Sequence, residues 1–152
     1  MTFASGRQSE RGRDLQYLDF ARTYGEAARR LGEGNGSIET ICIPFFHLVA
    51  HASELALKAG MSFQGNDEEN LMWVGHALES CRSEAARGGF QALEDDRLRC
   101  FISSLDRPHS MESLRYPQHL HLSLPDATEA LNALSELLRV VEAHITNRGI
   151  RA

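Results

Sequence analysis

Residues 38–60, IETICIPFFHLVAHASELALKAG, decide the fold. At about 100° per residue, Phe45, Phe46, Leu48, Val49, Ala52, Leu55, Ala56 and Leu57 wrap more than half of a helical circumference, so this segment reads as the central helix of a core. Pro44 has no N–H to give the helical ladder and therefore belongs to the first turn or marks a kink. The helix is expected to end near Ala59, with Gly60 as its stop. What remains of its circumference is a narrow arc, and His47, His51, Glu54 and Lys58 line up along it at steps of four, three and four residues.

The flanking segments are also helical. Leu15, Leu18, Ala21, Tyr24, Ala28 and Leu31 recur at three- and four-residue steps and predict a helix over 14–31, stopped by the glycines of GEGNG, 32–36. MSFQGNDEEN, 61–70, reads as a polar connection. A third helix is expected from about Gly75 or His76 to the stop at Gly88 and Gly89, and a fourth, carrying Leu93, Leu98, Phe101, Ile102 and Leu105, ends before Asp106 and Pro108. PHSMESLRYPQHLHLS, 108–123, holds two prolines and mixed periodicity and reads as irregular. Ser123 and Asp126 have capping-box spacing ahead of a last helix whose stripe is Leu131, Leu134, Leu138, Val141 and Ile145. The expected architecture is an all-α antiparallel bundle of four to five helices over 14–148, with a loose leader at 1–13 and a short tail at 149–152.

Composition narrows the class. The 152 residues suffice for one core, and no apolar run is expected to span a bilayer, so a soluble chain without membrane contact is anticipated. Sixteen Lys and Arg against 21 Asp and Glu, net −5, exclude a surface that coats nucleic acid generally, and any such contact must be local. The leader lacks the hydrophobic segment of a secretion signal. Cys42, Cys81 and Cys100 are odd in number and form no CxxC pair, which suits buried thiols in the reducing cytoplasm.

The stripe admits three readings. It is the solvent edge of a buried helix, with Glu54 and Lys58 as an exposed pair worth about 0.3–0.5 kcal/mol. Alternatively, His47, His51 and Glu54 bind a metal with His76 from the third helix, a reading opposed by the Lys58 ammonium. Or the stripe forms a polar groove with Arg115 and Tyr116. A guanidinium presents a fixed fork of donors to phosphate, and His119 or His121 titrates near neutrality, so Arg115 and His121 together suit RNA cleavage without metal. The plainer role for Arg115 is to tie its loop to a carboxylate such as Glu54.

HLVAHASELALKAG, 47–60, followed by VGHALESC, 74–81, resembles the HEPN group of helical domains, whose members carry an "aaHaiElaLKa" helix and then a "GHdL" segment. LRYP, 114–117, resembles the arginine-tyrosine element of some members. On these positions His51, Glu54 and Lys58 match the helix signature and His76 the histidine of the second segment, while Ala77 stands where Asp is usual. The resemblance implies a bundle of four or five helices, commonly a homodimer. Its group includes metal-independent endoribonucleases, toxin partners of small nucleotidyltransferases, and nucleotide-binding or inactive scaffold members. It implies no cofactor. The family nucleases use an arginine and a histidine four to six residues apart; Arg115 and His121 meet that spacing, with Tyr116 in place of the usual polar follower and Pro117 barring an ordinary helix.

The leading expectation is thus a HEPN-like domain that engages RNA or a nucleotide through His51, Glu54, Lys58, His76, Arg115 and Tyr116, Lys58 and Arg115 holding phosphate and His121 moving the proton. It extends to an endoribonuclease or a toxin–antitoxin component. Against it stand a non-enzymatic dimeric scaffold, in which the same groups fix helix register, and the metal-binding bundle.

Overall fold

The computed structural model describes residues 7–34, 36–117 and 122–150, with side chains described over 12–34, 36–117 and 122–147. The described residues form six α-helices, α1 Arg7–Gly32, α2 Ile38–Phe63, α3 Glu68–Val74, α4 Leu78–Arg87, α5 Asp96–Ser110 and α6 Ala127–Ile150, with a 3-10 turn at Gln91–Glu94 and no strand. The all-helical expectation holds, while the helix count exceeds four to five. The extra element is α3, which begins inside the expected polar connection because the Asp67 carboxylate accepts from the Asn70 N–H and starts a short helix. Most of the leader is helical too, since α1 begins at Arg7, and α6 runs into the expected tail.

α2 packs along α1, α6 and α4 and forms the axis of the core. Its entry is kinked: Ile41 leaves helical geometry at φ −120°, ψ 16°, three residues before Pro44, whose ring cannot sit against a straight preceding turn. Phe45, Val49, Ala52, Ala56 and Leu57 are wholly buried, and the Phe45 ring passes so near Gly32 that a Cβ there would lie 2.9 Å from it. Gly60 is not the stop. It is buried inside α2, which continues to Phe63 and turns at Gly65, where φ is +100°. By length and composition α2 is apolar enough to cross a membrane, contrary to expectation, with mean hydropathy 1.4 over its most apolar window. Over half of that window is buried within the protein itself, as in a core helix.

α5 also outruns its expected end. Pro108 falls in its last turn and gives up one helical N–H bond there, yet the helix continues to Ser110, carrying His109 round to the buried side. Of the three cysteines, all unpaired, only Cys81 is buried; Cys42 is half-buried and Cys100 exposed.

The cap of α6 is Asp126, not Ser123: its carboxylate accepts from the N–H groups of Thr128 and Glu129. Asp126→Ala is therefore expected to lower stability by about 1 kcal/mol in urea unfolding, whereas Ser123→Ala leaves it unchanged. Equal losses from the two would restore the Ser123 box.

Candidate functional site

Glu54 is the centre of the stripe. It lies on the inner side of α2, 4 % exposed, and is ringed by groups that carry or can carry positive charge. Oε1 accepts from His76 Nδ1 at 2.8 Å and from His109 Nε2 at 2.9 Å, and Oε2 accepts from Lys58 Nζ at 3.3 Å. Burial alone raises a carboxyl pKa, but the donated bonds from His109 and His76 and the Lys58 charge outweigh it and hold Glu54 down to about 2. An ionised carboxylate only accepts, so both imidazoles present N–H to it.

Local sequence explains each placement. Glu54 and Lys58 share a face because they stand four apart on α2. His76 arrives through Gly75, whose φ of 56° and ψ of −130° end α3 in a turn that a residue with a Cβ adopts only under strain. His109 continues the buried row of Ile102 and Leu105 one turn further along α5.

Outward from Glu54 the stripe opens. His51, half-buried, meets the Tyr24 ring edge-on at a centroid separation of 4.5 Å and lies 6.4 Å from His109. His47 stacks 6.2 Å beyond it, and its Nδ1 is buried with no hydrogen-bond partner among the described residues. Burial, then the charges of His109 and Arg115, lower the His47 pKa. His51 is lowered too, by burial first and by its histidine neighbours, against the opposing pull of Glu54.

Arg115 is exposed. A turn after α5 presents it, in which Glu112 takes the left-handed φ of 58° and its carbonyl accepts from the N–H groups of Arg115 and Tyr116. The guanidinium pairs with Glu112 at 3.6 Å and lies over the exposed Tyr116 ring, 5.6 Å from its centroid. It does not tie to Glu54, as the plainer expectation had it, and its charge is one of those that lower the His47 pKa.

Several expectations change with this geometry. The stripe is no solvent edge at Glu54 and Lys58, both of which are buried. Lys58, given over to Glu54 and 9 % exposed, is not presented to an incoming phosphate. Of the expected metal set, His51 and Glu54 come together, but the third nearby ligand atom is that of His109, with His76 donating to Glu54 and His47, its ring 6.4 Å from that of His109, outside the group. His119 and His121 lie outside the described residues. His109 escaped sequence reasoning because Pro108 read as a helix breaker; its four-residue step from Leu105 was the available signal.

Two open clefts lie away from the stripe, one between α5 and α6 lined by Arg97, Glu136 and Arg139, and one between α1 and α6 lined by Arg22, Glu26 and Arg29. Within them Arg139 already pairs with Glu136 and Arg29 with Glu26. Among known proteins, no family model, no curated protein and no solved structure significantly matches this chain.

Proposed function

We propose that this chain is a HEPN-like domain that engages RNA or a nucleotide through Arg115 and Tyr116 together with the imidazoles of His47, His51 and His76. The observation that carries the reading is the exposed Arg115 guanidinium lying over the exposed Tyr116 ring, 5.6 Å from its centroid, which sets a phosphate-suited fork beside an aromatic face, with His47 within range of its charge. The bond from His76 to Glu54 supports it further, because it links the two segments on which the resemblance rests. Arg115 grips phosphate, Tyr116 offers a face for a base, and half-buried His47 and His51 and exposed His76 donate or accept according to the ligand. Glu54 and Lys58 sit behind as the support that holds His76 and His109 in place.

In its catalytic form the reading assigns charge stabilisation on phosphorus oxygens to Arg115 and proton transfer to His121, in RNA cleavage that persists in EDTA. A cytoplasmic homodimer with a nucleotidyltransferase-type partner completes it.

The test is binding of a panel of RNAs and nucleotides to the purified chain. Arg115→Ala is expected to weaken binding about 10- to 100-fold, as loss of a charged hydrogen bond does, and to leave the melting temperature in place because the Glu112 pair is exposed. Binding to no member of the panel, or binding that Arg115→Ala leaves unaltered, defeats the proposal.

A scaffold reading draws on a different observation: Glu54, Lys58 and His109 are buried, and Glu54 accepts from both of the others across α2 and α5, which suits a network that fixes helix register. It gains if Lys58→Met unfolds the chain and no ligand is found.

A further inference from the structure

We propose that His51, Glu54 and His109 form a binding site for one divalent transition-metal ion of the zinc class. One ligand atom from each of the three lies within 4.8 Å of the other two. Two imidazole nitrogens and one carboxylate oxygen are a donor set such ions take, whereas calcium and magnesium call for more oxygens. The arrangement is one that helical bundles use, with an i, i+3 pair on one helix, here His51 and Glu54 of α2, facing a ligand from another, here His109 of α5.

Closing the site asks most of His51. Ligand bonds of about 2.0–2.1 Å in a tetrahedron set neighbouring ligand atoms roughly 3.3 Å apart. Glu54 and His109, now 2.9 Å apart, open by a few tenths of an ångström, and half-buried His51 closes in. The ion takes the place of the proton that His109 Nε2 now donates to Glu54, and the neutral ring that binds through Nε2 carries its one proton on Nδ1. Lys58, the sequence-level objection, bonds Oε2 and leaves Oε1 to the ion, which makes it an outer partner orienting the carboxylate. His76, 2.8 Å from that same oxygen, is the nearest candidate for a fourth ligand. No part of the phosphate reading passes through this ion.

The experiment is calorimetric titration of zinc chloride into the untagged full chain after chelation and dialysis, near neutral pH, with elemental analysis of the loaded protein. One ion per chain is expected, with affinity falling at least about 100-fold in His51→Ala and in His109→Ala. No stoichiometric uptake, or uptake undiminished in both variants, overturns the site. Should His109→Ala fail to fold, cobalt(II) loading of the unaltered chain decides: intense visible bands of a four-coordinate ion support the site, and the faint spectrum of the hydrated ion overturns it. Ligand binding measured in EDTA reads the phosphate proposal separately, so either can fail alone.

Discussion

Glu54→Gln is expected to destabilise the protein by about 3–5 kcal/mol, a large share of the roughly 5–15 kcal/mol that holds a domain of this size. The substitution keeps the volume and removes the charge. Lys58, buried beside it, then loses its paired carboxylate, and water does not reach it freely. The new amide also cannot copy the carboxylate: one oxygen is left to accept from His76, His109 and Lys58, and the NH2 group must face at least one of these donors. Urea unfolding followed by circular dichroism reads the loss as a lower midpoint at constant slope. The double variant Glu54→Leu with Lys58→Met should lie closer to the unaltered protein than Glu54→Gln does, because removing both charges leaves no uncompensated ion. A loss below about 1 kcal/mol for Glu54→Gln would mean that the buried pair is not what the fold depends on.

Acid should unfold the protein in two stages. His47 and His51 have folded pKa values below their ordinary 6.5, so the unfolded chain takes up protons first, and stability falls as pH drops below 6.5. Glu54 acts lower down: its folded value of about 2 lies beneath the ordinary 4.5, so its contribution is present above 4.5 and is lost as pH falls towards 2. That shift corresponds to about 3 kcal/mol for a carboxylate this well buried. Unfolding free energies at a series of pH values check both stages. Replacing His47 and His51 with Gln should flatten the upper stage, and Glu54→Gln the lower one. A stability profile level from neutrality down to 4.5 would remove the half-buried imidazoles from the account.

Much of the fold was legible because helical periodicity is local. The row from Phe45 to Leu57 identified a buried axis, and Leu134, Val141 and Ile145 marked the last helix, because residues three and four apart must share a face whatever surrounds them. Helix ends were read less well. Gly60 and Pro108 looked like stops, yet in both places packing outweighed local preference: Gly60 lies against Phe90 in the core, and Pro108 costs a single bond in the last turn of α5. Asp67 and Ser123 show the same limit, since a cap depends on where the following N–H groups point.

The candidate site divides along the same line. That Glu54 and Lys58 pair, and that His47 and His51 stand above them, follows from steps of three and four along one helix and needed only the sequence. Whether that row faces water or protein, and who meets it, depends on partners 22 and 55 residues away, His76 and His109, brought in by a glycine turn and by a helix that continues past its proline. Periodicity describes neighbours on one cylinder and carries no information about the cylinder beside it. The burial that turns a surface ion pair into a desolvated network of Glu54, Lys58 and His109, met by His76 at its edge, was therefore decided by tertiary packing alone.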